Sequence, residues 1–213
     1  MAKTALEKAR EAPGSTKARI LEAAEEVFAA RGFQGASTRE IAARAGVNIS
    51  SLHYHWESKE TLYVAVFRNI YEQLIAQLRE ALAPLLEHAT KGDRMIDHAM
   101  DVLFEFFAGN PNIPKLLVRR LVENDEIDAG IDRDILVPAW DVFSGWLKTF
   151  GRRTFSDEES RLFMLTAHSA VLVYLLDSRP YQNLLGGSVL APGGLRERVR
   201  AHVTELVHKL LGP

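Results

Sequence analysis

The stretch that decides the fold is residues 37–59, which reads STREIAARAGVNISSLHYHWESK. Ser37 and Glu40 have the spacing of a capping box, in which each side chain accepts a hydrogen bond from the other residue's backbone N–H. This spacing predicts a short helix over residues 38–45, which ends at Gly46. A second short helix follows within a few residues, and two short helices joined by a glycine-containing turn are typical of a helix-turn-helix unit.

Apolar and polar side chains separate on the two sides of this unit. The apolar positions are Ile41, Ala42, Ala45, Val47 and Leu52. They pack both short helices onto a preceding helix predicted over residues 15–31, which Gly32 ends. The second helix, over residues 49–55, then presents a polar leading end. Small and hydrogen-bonding side chains near a helix N-terminus suit entry into the major groove of DNA.

Candidate phosphate contacts flank the second helix. Thr38 and Arg39 lie at one predicted helix N-terminus and Lys59 at another, where free backbone N–H groups attract anions. Tyr54 and His55 add hydrogen-bond donors. Charge adds little support, because the first 60 residues carry nine Lys or Arg against eight Asp or Glu. Short helical pairs also occur in all-α proteins that do not bind DNA, so the pattern alone leaves both interpretations open.

The sequence resembles the DNA-binding domain of TetR-type (tetracycline-repressor-type) transcriptional regulators over about residues 16–67. The segments that carry the resemblance are TKARILEAA (16–24), FAARGF (28–33), STREIA (37–42), AGVN (45–48), LHYHW (52–56) and SKETL (58–62). The resemblance implies backbone contacts for Thr38 and Arg39 and a phosphate-binding role for Lys59. It implies a phosphate clamp formed by Tyr54 and His55. The positions that it turns toward bases or the adjoining backbone are Asn48, Ile49, Ser50, Ser51 and His53.

Three positions depart from the family pattern and bear on the operator sequence. Ile49 stands where many members carry Lys or another polar residue, so it either contacts a thymine methyl group or reaches no base. His53 stands where Tyr or Asn is frequent, and Trp56 replaces the usual Phe.

The rest of the chain also has helical periodicity, so we predict an all-α protein. An N-terminal three-helix helix-turn-helix domain over residues 15–60 follows a mobile tail over 1–14. A helical bundle for ligand binding and dimerisation occupies residues 61–213. Its predicted helices cover about 59–83, 93–108, 114–124, 134–151, 157–177 and 194–211.

The resemblance implies that the C-terminal bundle encloses a small-molecule inducer. Fourteen of the 18 aromatic residues lie beyond residue 60, and pockets are mostly apolar with a few polar groups. The candidate apolar wall is Met100, Phe104, Phe107, Leu117, Trp140 and Phe143, and the candidate polar groups are His98, Arg119, Arg120 and His168. The alternative is that these side chains only fill the core. The acidic stretch 123–134 is interpreted as a solvated loop.

The last two predicted helices, 157–177 and 194–211, are the candidate homodimer interface. The first is apolar almost throughout and contains small residues that permit close approach. A monomer would expose at least one apolar face, which is unfavourable in water. The resemblance implies a four-helix bundle with two-fold symmetry. Such a dimer holds two recognition helices about 34–36 Å apart, the spacing of successive major grooves on a palindromic operator.

Other classes of function find no support. Without cysteine there is no disulfide, thiol nucleophile or thiolate metal site, and the histidines lack zinc-binding spacing. We found no catalytic motif, phosphate loop, secretory signal or membrane-spanning run. The sequence therefore predicts a cytoplasmic regulator that requires no metal or cofactor, and a repressor that a small apolar or aromatic ligand releases from DNA. The alternative is a helical ligand- or partner-binding module that no longer binds DNA specifically.

Overall fold

The structure, a computed structural model, describes residues 4–87, 92–123, 126–150 and 154–211. These residues form helices joined by turns, without a strand among them, so the predicted all-α class is confirmed. No helix in this part of the chain is long and apolar enough to cross a membrane. Contacts divide the chain into an N-terminal unit, Met1–Tyr71 with Lys115–Ile135, and a C-terminal unit, Glu72–Pro114 with Leu136–Pro213.

The N-terminal unit contains the predicted helix-turn-helix. Its helices are α1 (Ala5–Glu11), α2 (Thr16–Gly35), α3 (Thr38–Arg44), α4 (Ile49–Trp56), the first part of α5 (Lys59–Glu87), most of α7 (Asn112–Glu123) and α8 (Asp128–Ile131). Aromatic rings of α2 and α5 form its core, with Tyr63 4.9 Å from both Phe28 and Phe67 between ring centroids. A π-helical segment, Asp132–Leu136, follows α8.

Helix α1 differs from the predicted mobile tail. The side chain of Thr4 accepts a hydrogen bond from the backbone N–H of Glu7, whose own side chain accepts from the backbone N–H of Thr4. Leu6 and Ala9 are buried, and Nε of Arg10 donates to Oδ1 of Asn69 at 2.8 Å. The tail was predicted because residues 1–14 are polar and end in Pro13-Gly14. The apolar side of α1 gains a partner surface only in the folded unit.

Helix α2 is broken at Gly32, as predicted from the glycine. A side chain of α7 caps the part of α2 that precedes the break. Gly32 has a φ of 72°, a value that favours glycine. Arg119 donates from Nε to the carbonyl of Ala29 at 3.3 Å and from Nη2 to that of Ala30 at 3.1 Å. These carbonyls precede the break and have no continuing helix to satisfy them. Arg119, predicted as a pocket group, instead caps a helix.

Most of the acidic stretch 123–134 is helical rather than a solvated loop, whereas residues 124 and 125 lie outside the described residues. Nε of Arg120 donates to Oδ1 of Asp128 at 2.8 Å, and both side chains are buried. Asp132 accepts from Nη2 of the same guanidinium. Arg120 was predicted as a polar pocket group, but two carboxylates of its own unit satisfy it. The six carboxylates of this stretch suggested exposure, whereas a tertiary contact pairs Asp128 with Arg120 inside the unit.

The C-terminal unit is helical, but it lacks residues 61–71 and 115–135 of the bundle predicted over 61–213. It contains the rest of α5, α6 (Asp93–Gly109), α9 (Val137–Phe150), α10 (Asp157–Leu175), α11 (Arg179–Leu185) and α12 (Gly194–Leu211). Polar contacts join α12 to α6: Arg200 forms an ion pair with Asp101 at 2.8 Å, and Nε2 of His208 lies within hydrogen-bond distance of Oδ1 of Asp97 at 2.6 Å. Helix α5 continues through Pro84, beyond its predicted end at residue 83.

Candidate nucleic-acid interface

Side-chain caps set the start of both helices in the helix-turn-helix. Oγ of Ser37 accepts from the backbone N–H of Glu40 at 3.1 Å and begins α3. Gly46, with a φ of 66°, makes the turn between the helices. Oδ1 of Asn48 then accepts from the backbone N–H of Ser51 at 2.8 Å and begins α4. These caps are local, which explains why the sequence predicts both helices closely.

Helix α4 has one buried side and one exposed side. Leu52 and Trp56 are almost completely buried, and Nε1 of Trp56 donates to the backbone carbonyl of Lys17 at 3.2 Å. The predicted DNA-facing residues of α4 lie on the other side or at its edge. Asn48, Ile49, Ser50, His53 and Tyr54 are exposed, whereas Ser51 and His55 are half-buried. Four of the five predicted base-facing residues are therefore exposed, and Ser51 is half-buried.

Two arginines near this surface have no carboxylate partner among the described residues. Arg39, in the first turn of α3, is exposed, and Thr38 beside it is half-buried. Arg19 is exposed on α2 and lies close to the turn. Its Nη1 is 4.0 Å from the point that a Cβ atom would occupy if Gly46 carried a side chain. Arg44, by contrast, pairs with Glu26. Sequence reasoning named Arg39 but missed Arg19, because only packing of α2 against α3 and α4 brings it to the turn.

Lys59 is partly engaged within the protein. Its Nζ donates to the backbone carbonyls of Phe33 at 2.9 Å and Ala36 at 3.2 Å. The ammonium also lies 4.4 Å from the centroid of the Phe33 ring, a cation–π distance. Lys59 therefore satisfies carbonyls at the end of α2. An ammonium has three N–H donors, so one donor remains for another partner.

Tyr54 and His55 differ in exposure and charge. The Tyr54 side chain is 84% exposed, and its ring centroid lies 5.0 Å from that of His55. Nδ1 of His55 is buried without a hydrogen-bond partner in the described structure. Burial lowers the pKa of His55, and the charge of Lys17 lowers it further. His55 is therefore a neutral ring at pH 7, so it offers a phosphate a hydrogen bond rather than a positive charge.

The C-terminal unit holds seven of the ten predicted pocket residues, and the other three, Leu117, Arg119 and Arg120, belong to the N-terminal unit. Met100, Phe104, Phe107 and Phe143 are buried, and Trp140 and His168 are partly buried. The ring of His168 lies 6.1 Å from that of Phe107 and 5.7 Å from that of Trp140. Leu117 is instead buried in the N-terminal unit.

His168 is the predicted polar group that the structure keeps in this aromatic cluster. Its Nε2 is buried without a hydrogen-bond partner in the described ranges, and burial lowers its pKa to about 4. His98, the other predicted histidine, is exposed on α6. The described residues contain no group of three or more His, Asp or Glu arranged to hold a metal ion.

Comparisons with known proteins agree with this geometry. The model of the family "Bacterial regulatory proteins, tetR family" matches residues 20–66. The HTH-type transcriptional regulator RutR of Escherichia coli O157:H7 is 28% identical over 187 residues, covering 84% of this chain and 82% of RutR. The HTH-type transcriptional activator FasR of Mycolicibacterium smegmatis is 36% identical over 90 residues, covering 42% of this chain and 39% of FasR.

Solved structures share the fold at low sequence identity. The regulator FadR of Bacillus subtilis, in complex with stearoyl-CoA, has a TM-score of 0.64 and 18% identity, covering 89% of this chain and 96% of FadR. A transcriptional regulator of Aquifex aeolicus has a TM-score of 0.63 and 17% identity, covering 91% of this chain and 98% of that one.

Proposed function

Because the chain belongs to the TetR family of DNA-binding transcriptional regulators, we propose that it is a cytoplasmic repressor of a palindromic operator. It binds the operator as a homodimer and leaves it when a small apolar or aromatic molecule binds the C-terminal unit. The observation that carries this proposal is the exposed polar surface of α4, whose opposite side is anchored by Leu52 and Trp56.

The proposed DNA contacts fall into two groups. Phosphates are bound by Thr38, Arg39, Tyr54, His55 and the free N–H of Lys59. Bases and the adjoining backbone are contacted by Asn48, Ile49, Ser50, Ser51 and His53. Phosphate contacts position the protein, and contacts to base edges supply the sequence preference.

The proposed dimer interface is the exposed apolar side of α10 together with α12. Leu162, Leu165 and Val173 on α10 are 58%, 50% and 40% exposed, and Leu210 on α12 is 41% exposed. Residues 162, 165, 169 and 173 follow helical spacing, so they share one face, with the small Ser169 in its middle. Covering such a face removes apolar surface from water, which favours association.

The proposed ligand site is the cluster of Phe107, Trp140 and His168 with its buried neighbours. An uncharged histidine among aromatic rings suits an apolar or aromatic molecule with a single hydrogen-bonding group. Such a ligand releases DNA if it binds better to a conformation in which the two recognition helices no longer match successive grooves. The alternative is a helical ligand- or partner-binding module without specific DNA binding.

Fluorescence anisotropy tests the proposal. The purified full-length chain is titrated with DNA from upstream of its own gene and with a scrambled duplex, each at two salt concentrations. We expect tight, salt-dependent binding to the first duplex only, with two subunits per site. An α4 variant, Ser50→Ala with His53→Ala, should lose this preference while it stays folded. Equal, weak binding to both duplexes would favour the alternative, after a randomised library has been searched for any preferred site.

A further inference from the structure

We propose that Ile49 selects a thymine in each operator half-site by contact with its C5 methyl group, an inference that rests on recognition of DNA by α4. Ile49 is the first residue of α4, and it is 37% exposed. Residues in the first turn of a recognition helix are those that reach base edges. An apolar side chain therefore stands at a position that meets DNA first.

The neighbours of Ile49 are hydrogen-bonding groups, and two of them are already partly engaged. Oδ1 of Asn48 accepts from the backbone N–H of Ser51 at 2.8 Å. An asparagine reads adenine by using its carbonyl oxygen and its amide nitrogen together, and the capping bond already holds this oxygen toward the backbone of α4. Nδ1 of His53 lies 3.3 Å from the carbonyl oxygen of Glu57, so a hydrogen bond between them engages one of its two ring nitrogens.

The exposed side of α4 also lacks the side chains that read guanine. Arginine and lysine make the common two-point contact with guanine O6 and N7. Neither arginine nor lysine occurs among the exposed residues at this side of α4, which are Asn48, Ile49, Ser50, His53 and Tyr54. If Ile49 faced guanine or cytosine, it would leave their polar groups without partners. The thymine methyl is the apolar group that the major groove displays, so it is the partner that matches Ile49.

Ile49 is also held firmly enough to act as a specificity contact. The Asn48 cap orients the first turn of α4, and the burial of Leu52 and Trp56 fixes the helix. A β-branched side chain in a helix has one strongly preferred rotamer. The methyl groups of Ile49 therefore keep a defined position relative to the neighbouring hydrogen-bonding groups.

Removing one thymine methyl group from the DNA at a time tests this contact. The full-length chain first selects a duplex from a randomised library. Each thymine of that duplex is then replaced in turn by deoxyuridine, which removes only the methyl group. We expect one thymine in each half-site at which this replacement weakens binding about fourfold, the effect of losing one buried methyl group.

Variants of Ile49 connect the methyl group to this residue. Ile49→Ala should bind the thymine and uracil duplexes equally, whereas Ile49→Val should keep most of the difference. Val122→Ala is the matched control, because it shortens an exposed apolar side chain of the same unit outside the proposed DNA contacts and should leave the methyl effect intact. Circular dichroism confirms that each variant is folded, which is expected because Ile49 lies outside the core.

Three outcomes would overturn the inference. The first is a selected duplex in which no thymine methyl affects binding, and the second is a methyl effect that persists in Ile49→Ala. In both, DNA recognition stands and Ile49 is removed from the base contacts. The third is the absence of any selected sequence, which refutes specific DNA recognition and this contact with it.

Discussion

Nε of Arg120 lies 2.8 Å from Oδ1 of Asp128, and this ion pair is buried inside the N-terminal unit. Although burial lowers the pKa of Arg120, hydrogen bonds and charges from Asp132 and Asp128 raise it above its ordinary value. The guanidinium also lies 5.5 Å from the ring centroid of Phe67 on α5. The pair thus joins α7 to α8 and packs against α5 at one point.

Removing one partner of this pair should be costly. Arg120→Met leaves the Asp128 carboxylate buried without its cation, and we expect the free energy of unfolding to fall by about 3–5 kcal/mol. Urea denaturation followed by circular dichroism measures the change. The double variant Arg120→Met with Asp128→Leu should recover much of the loss, since no buried charge remains. Arg133→Ala, which breaks the exposed pair with Asp134, is the control and should leave stability unchanged. A loss as small as that of the control would contradict the proposed strength of the buried pair.

Glu25 on α2 should make the protein less stable at high pH. Burial, together with the smaller effect of the charges of Glu22 and Glu26, raises the pKa of Glu25 to about 7. The folded state therefore prefers the protonated form, and its stability falls as pH rises from about 4.5 through about 7. We expect Glu25→Gln to raise the free energy of unfolding by about 2–3 kcal/mol at pH 8 and by little at pH 4. Glu22→Gln, an exposed neighbour, should give a smaller gain, and equal gains at both pH values would refute the argument.

His168 should have the opposite dependence on pH. Its folded pKa of about 4 lies below its ordinary value of 6.5, so the unfolded chain takes up a proton first as pH falls. The stability that the neutral ring contributes is present above pH 6.5 and is lost toward pH 4. Between pH 7 and pH 5, wild type should lose about 2 kcal/mol more than His168→Gln, which does not titrate. Parallel denaturation midpoints of the two proteins across this range would show that the ring is not held in its neutral form.

Alanine variants of Arg39 and Lys59 should both weaken DNA binding, but only the Lys59 variant should also lower the free energy of unfolding. Arg39→Ala should weaken binding to all sequences and reduce the salt slope by about one per subunit, because one phosphate contact is lost. Stability should not change, since Arg39 has no carboxylate partner in the described structure.

Lys59→Ala should reduce the slope similarly but also lower the free energy of unfolding by about 1–3 kcal/mol, because two carbonyls lose a charged donor. If only stability falls in Lys59→Ala, Lys59 is a helix cap and not a phosphate contact.

The proposed dimer predicts a specific effect of charge on α10. Leu165→Asp places a carboxylate in the exposed apolar face, so we expect a shift from dimer to monomer in sedimentation velocity and a large loss of operator affinity. Val122→Asp is the matched control, because Val122 is 79% exposed and belongs to the N-terminal unit. A dimer that persists in Leu165→Asp would place the interface elsewhere.

Local signals made the helix-turn-helix predictable from the sequence. Ser37 and Asn48 cap their helices through residues three positions away, and Gly32 and Gly46 take positive φ values. Such interactions depend on neighbours along the chain, so spacing was sufficient to predict the Ser37 cap and the helix ends at Gly32 and Gly46, although the Asn48 cap was not predicted. The alternation of Leu52 and Trp56 with polar residues likewise indicated which side of α4 is buried.

Only the tertiary structure decided the partners of the charged residues and the short helices. The sequence does not reveal that Arg119 caps α2, whose carbonyls at Ala29 and Ala30 lie 90 and 89 positions away. Nor does it reveal that Lys59 reaches back to Phe33. Helices as short as Ala5–Glu11 form because packing compensates for their weak intrinsic stability. Local sequence therefore determines where the long helices and the DNA-facing surface lie, whereas long-range contacts determine which charges that surface leaves free.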